Sequence, residues 1–89
     1  MVDRNITVTV KLFAAFQEAY GLSELHWEFP RKTPVVEILN RCIQEHPELE
    51  QWRNLTRFGI NLEFATADTL LKQGDEVALI PPVSGGSDG

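Results

Sequence analysis

The chain is poor in the residues that most small functional sites are built from. Cys42 is its only cysteine, which excludes an intramolecular disulfide and any site made of several thiolates. It has two histidines, His26 and His46, far apart in sequence and on different predicted elements, whereas a protein metal site needs three or four convergent ligands. Positive charge is also scarce. Eight Lys and Arg stand against thirteen Asp and Glu, for a net charge of −5, and the basic residues are scattered singly apart from the pair Arg31-Lys32. Nucleic-acid binding relies on clustered cations to neutralise phosphates, so that class of partner is not expected. An acidic surface suits a basic protein partner instead.

Long apolar runs are missing as well. No stretch approaches the length of a membrane span, and Met1-Val2-Asp3-Arg4-Asn5 runs into alternating residues rather than into a signal-peptide core. A cytoplasmic protein that does not associate with membranes is expected. At 89 residues the chain corresponds to one domain with little spare volume for an internal active site.

What is present is alternation. Ile6, Val8, Val10 and Leu12 alternate with Thr7, Thr9 and Lys11, the pattern of a half-buried strand. Phe13 to Tyr20 reads as a short helical turn stopped by Gly21. Leu25, Trp27 and Phe29 then form a second strand, ended by Pro30 and close enough to pair with the first as an antiparallel hairpin. Thr33-Pro34 predicts a helix start, with Thr33 as N-cap and Pro34 at the first helical position. Val35, Leu39, Cys42, Ile43 and His46 follow at helical spacing, with Glu37 and Arg41 as an outer i,i+4 pair and Pro47 as the stop. Glu48 to Leu55 adds a turn around Trp52. Phe58, Ile60, Leu62 and Phe64 alternate as one further strand, Lys72 to Asp75 is a turn, and Glu76 to Ile80 is the last strand before Pro81-Pro82.

Strand, strand, helix, strand, strand gives an α+β domain, a mixed sheet of four or five strands covered by one main helix. The order matches a β-grasp, with the first and last strands side by side at the centre. Residues 1–82 are expected to form this domain and residues 83–89 a flexible tail. In the last strand Val77 and Leu79 suit the helix side, yet Ala78 and Ile80 on the other side are apolar too. Two readings remain open: that face is covered by a partner protein, or these are isolated surface apolars of the ordinary kind.

Several residues are better explained by structure than by chemistry. Cys42 lies on the apolar stripe and reads as core. His46 suits the negative end of the helix, and His26 points outward. Asp75-Glu76 belongs to the turn next to Gly74. Trp27 reads as core, and Trp52 as core or interface.

The tail is the segment with chemistry in it. Pro81-Pro82 stiffens the exit from the sheet, and Gly85-Gly86 is narrow enough to thread a tight channel and to expose its own carbonyl carbon. A Gly-Gly pair alone reads first as an inert, disordered Gly/Ser tail. Pro81-Pro82-Val83-Ser84-Gly85-Gly86, preceded by Gly74-Asp75-Glu76-Val77-Ala78, resembles the ending of the small subunit of molybdopterin synthase, in the family that also holds the thiamine-pathway sulfur carriers, all ubiquitin-like. Lys11-Leu12-Phe13-Ala14 and Gly21 are similar to the segment after that family's first strand, and Ile60-Asn61 to its third.

The resemblance implies a sulfur carrier that is not an enzyme by itself and binds no cofactor. An E1-like partner would spend ATP to adenylate Gly86, and sulfide would convert it to a thiocarboxylate. The large catalytic subunit, in a heterotetramer, would receive the tail and pass sulfur to a pterin precursor. Gly85 and Gly86 would then carry the reaction, and Ala78, Ile80, Pro81, Pro82 and Val83 would meet the partners. The chain departs from the family pattern in continuing with Ser87-Asp88-Gly89. A precursor trimmed by a protease, an artificial extension, and use of Gly89 itself are the three explanations. Carriers for other pathways, protein modifiers joined through Gly86 to lysines, and inert interaction modules are the alternatives in function.

Overall fold

A computed structural model describes residues 5–82. Its elements are β1 (Asn5–Leu12), α1 (Ala15–Tyr20), β2 (Glu24–Pro30), α2 (Val36–Glu45), a 3₁₀ segment (Pro47–Trp52), β3 (Arg57–Ile60), β4 (Glu63–Ala65) and β5 (Glu76–Ile80). The strands form one mixed sheet in the order β2-β1-β5-β3-β4. β1 and β5 run parallel at its centre, and the other three pairings are antiparallel. Parallel neighbours need a crossover, which α2 supplies across one face.

The strict alternation of β1 is realised as burial. Ile6, Val8, Val10 and Leu12 face α2, together with Phe29, Val77, Leu79 and Phe58. From the helix come Val35, Ile38, Leu39, Cys42 and Ile43, and Phe16 of α1 and Leu49 close the ends. Gly21 ends α1 in the left-handed conformation at φ 69°, its N–H bonded to the Gln17 carbonyl.

Three local expectations are corrected. Thr33 does not cap α2; its Oγ1 donates to the Pro30 carbonyl at 2.6 Å, and the helix begins later, at Val36. The N–H groups of Val35 and Val36 are taken by the carbonyls of Thr69 and Ala67, at 2.8 and 3.1 Å, so a distant segment does what a cap side chain would do. Arg41 does not turn back to Glu37. Its Nε donates to Glu45 at 3.2 Å and its guanidinium stacks 4.0 Å above the half-buried Trp27 ring, an arrangement that covers apolar surface as well as pairing charge. His46 lies just beyond the helix, edge-on to Tyr20 at 4.4 Å.

The largest correction concerns Phe58 to Phe64. The run is a hairpin, not one strand. Asn61 and Leu62 form a two-residue turn with φ 52° and 73°, and Ile60 pairs with Glu63, Gly59 with Phe64. Paired residues share a face, so Phe64 is carried to the side of the sheet away from α2, with Gly59, while Phe58 stays in the core. The apolar residues change sides at the turn, Phe58 and Ile60 toward α2 and Phe64 away from it, so the alternation along the sequence continues and hides the turn.

Candidate partner-binding face and tail exit

The strand pairings put Glu24, Lys11, Ala78, Gly59 and Phe64 in one row across the face opposite α2. The outer part of this row is apolar. Phe13, Leu62, Phe64, Ala78 and Ile80 wall a groove of about 610 Å³, with Gly59 on its floor. Phe64 is 78% exposed, Leu62 97% and Phe13 47%. A Cβ at Gly59 would sit 3.7 Å from the Ala78 Cβ, an ordinary contact, so the sheet does not demand glycine; its absent side chain deepens the groove. Large apolar side chains gathered on one open face differ from the scattered apolars of an average exterior and make this face the candidate for recognition.

The inner end of the row is charged. The Lys11 ammonium lies 2.7 Å from Glu24 and 3.6 Å from Glu76, and His26 Nε2 lies 3.3 Å from Glu24. The hydrogen bond to Glu24 raises the Lys11 ammonium above its ordinary value and lowers the Glu24 carboxyl. Both side chains are well exposed, so the pair contributes orientation more than stability.

The turn that builds the groove wall is tied to the start of β5. The Asn61 backbone N–H donates to the Glu76 carbonyl at 2.8 Å, and the Glu76 N–H donates back to the Asn61 side-chain oxygen at 3.0 Å. The Asn61 amide also donates to the buried Asp75 at 3.0 Å, and Asp75 accepts from the Lys72 N–H at 2.8 Å. Asp75 is therefore turn chemistry, as its place beside Gly74 (φ 83°) suggests.

β5 leads from this face to the tail. Ala78 and Ile80 are half-buried on the open side, Pro81 is buried and Pro82 is exposed. Ile80, Pro81 and Pro82 also border two smaller grooves, one walled by Phe13, Ala15 and the half-buried Trp52, the other by Leu55 and Arg57. Trp52 thus belongs to both core and surface. Val83, Gly85 and Gly86 lie outside the described residues.

The remaining candidates carry no visible chemistry. Cys42 is fully buried, and burial pushes its thiol up to about 11, away from the thiolate a nucleophile needs. Among the described residues no group of three or more His, Cys, Asp or Glu could hold a metal ion, and no helix is long and apolar enough to cross a membrane.

Phe13, Gly59, Leu62 and Phe64 were not identified as site residues from sequence. Phe13 reads as the start of a helical turn, and the other three depend on the unrecognised hairpin. Asn61, a residue that tolerates positive φ, is the signal that could have revealed it.

Fold and site together define a ubiquitin-like β-grasp domain with an apolar groove beside the root of a Pro-Pro exit. The chain belongs to the ThiS family, whose model matches residues 10–86. It is 35% identical over 81 residues to the molybdopterin synthase sulfur carrier subunit of Chlamydomonas reinhardtii, covering 89% of this chain and 98% of that protein. The Haloferax volcanii small archaeal modifier protein 1 superposes with a TM-score of 0.74 at 28% identity, over 88% of this chain and 99% of that one. The complex of subunits 1 and 2 of the Helicobacter pylori molybdopterin-converting factor contains a chain of TM-score 0.55 and 27% identity, covering 91% of this chain and 100% of its own.

Proposed function

We propose that this protein is the sulfur-carrying small subunit of molybdopterin synthase, working in the cytoplasm with the groove of the open face as docking surface and Gly86 as sulfur carrier. The observation that carries the reading is one of continuity. The central strand β5 presents Ala78 and Ile80 to the apolar groove, and in sequence it is followed directly by Pro81-Pro82 and, three residues on, by Gly85-Gly86. A partner that covers the groove is thereby next to the root of the tail. The sulfur-carrier names of the relatives support the reading.

The chemistry needs a free carboxylate at Gly86, hence hydrolysis of the Gly86–Ser87 bond by a processing protease. An E1-like enzyme joins the carboxylate to the α-phosphate of ATP and releases pyrophosphate. Sulfide then displaces AMP and leaves the thiocarboxylate. In the large subunit the sulfur passes to the pterin precursor, and water supplies the oxygen that regenerates the Gly86 carboxylate. Side chains of the partners catalyse these steps; this chain supplies the bound sulfur, its reach and the docking surface.

The test uses the 89-residue chain and a chain ending at Gly86, each with the cognate activating enzyme, ATP and sulfide, read by intact mass. Three further residues remove the carboxylate and add up to about 10 Å, which a reaction requiring contact within about 3–3.5 Å does not tolerate. Only the trimmed form should gain sulfur. Loading of both forms at equal rates sinks the precursor idea, and loading of neither sinks the carrier reading. A second reading, protein modification through Gly86, draws support from the similarity to the small archaeal modifier protein. It predicts Gly86 linked to lysine amines of other proteins in the native host.

A further inference from the structure

Leu62 combines two features that fold stability alone would select against. The tight turn between Ile60 and Glu63 holds it at φ 73°, where an L side chain crowds its own backbone. Its neighbour Asn61 is at φ 52° as well, but Asn tolerates that region and its amide is used in the bonds to Glu76 and Asp75. Leu62 has no such compensation. Glycine at this place would complete the Asn-Gly pair that such turns favour. With 97% of its surface exposed, Leu62 also buries almost nothing in its own domain. An apolar side chain held in a strained conformation and almost wholly exposed points to something outside the fold.

Its position says what that is. Leu62 walls the same groove as Phe13, Phe64 and Ile80, and Glu63 beside it is exposed and in no ion pair among the described residues. We propose that Leu62 is an anchor that inserts into an apolar socket with a basic rim on the large subunit of molybdopterin synthase. The proposal rests on the reading of this chain as the small subunit. It adds that the hairpin tip, and not the sheet face alone, sets the affinity for that partner.

The experiment pairs binding with stability, because the two should move apart. Affinity for the large subunit of the same organism is measured by titration calorimetry for the parent chain and for Leu62→Gly, Leu62→Gln and Leu62→Met, alongside Tm. Leu62→Gly and Leu62→Gln should bind roughly 10- to 100-fold more weakly, as for loss of one fully buried leucine. Leu62→Met should stay near the parent affinity. Relief of the backbone should leave the Tm of Leu62→Gly no lower and up to roughly 4 °C higher, while Leu62→Gln keeps the parent Tm. If the parent binds and both Leu62→Gly and Leu62→Gln bind as tightly, Leu62 is no anchor and the subunit reading stands. If the parent does not bind, both readings fall. A drop in Tm for Leu62→Gly would make the residue a support of the fold, against the proposal. Dimerisation of the parent that Leu62→Gln abolishes would assign the socket to a second copy and overturn it too.

Discussion

The two sides of β5 differ in cover more than in composition. Val77 and Leu79 point toward α2 and are fully buried, while Ala78 and Ile80, also apolar, point into an open groove and are half-buried. The helix side is closed: Val8, Val10, Leu12, Leu39, Val77 and Leu79 from β1, α2 and β5 are buried against one another. The other side is left open by Gly59, which contributes no side chain, and bordered by Phe13, Leu62 and Phe64 at the surface. One strand thus serves two different surfaces, one that makes the domain stable and one that is available to a partner.

That contrast can be broken first from the inside. Leu79→Ala should cost about 2–5 kcal/mol of unfolding free energy, because a fully buried leucine leaves a cavity that the central sheet cannot close. Chemical denaturation measures it, and a loss below about 1 kcal/mol would mean the core relaxes far more than such sites do. Ile80→Glu tests the outside. It should weaken binding to the large subunit by roughly 2–4 kcal/mol through a charge buried in the interface, while the isolated domain stays folded. Unfolding of the variant by itself would place Ile80 in the core after all.

A smaller effect is expected at Cys42. Cys42→Ala removes one buried atom and should cost about 1 kcal/mol while leaving sulfur loading of the trimmed chain intact. Loss of loading in a folded Cys42→Ala protein would give the thiol a chemical role.

The smallest effect is a pH dependence on the helix side. The Glu45 carboxyl is held below its ordinary value of 4.5, first by the hydrogen bond from Tyr20 Oη (2.6 Å) and then by Arg41. A lowered folded-state pKa contributes stability that is present above 4.5 and lost as pH falls through the depressed value. Tyr20→Phe should therefore lower Tm at pH 7, and the gap to the parent should narrow on acidification below that range. A gap independent of pH would reduce the Tyr20 contribution to packing alone.

Much of this architecture is legible along the chain. Alternation over Ile6 to Leu12, the stop at Gly21, the Pro47 break and the Pro81-Pro82 exit all express local rules, and the structure follows them. The central pairing of β1 with β5 follows from the order of elements and the double-sided apolarity of β5. The misplaced details share one cause. Thr33, Arg41 and the Asn61-Leu62 turn each had a partner distant in sequence: the Thr66 to Leu71 segment, the Trp27 ring, and Asp75-Glu76. Half of the site was visible for the same reason the fold was, because Ala78 and Ile80 sit in a regular strand. Phe64 was not, because the apolar residues switch from the helix side before the turn to the open side after it, which leaves the alternation along the chain unbroken.

The residues alone determined the strands β1, β2 and β5 and the main helix, and the stops at Gly21, Pro47 and Pro81-Pro82, since these depend on each residue's own stereochemistry and polarity. Tertiary structure decided which side of the sheet stays open and which side chains meet there. That outcome depends on one helix having only one face of the sheet to cover, and on a hairpin at Asn61-Leu62 that brings Phe64 to the face the helix leaves exposed.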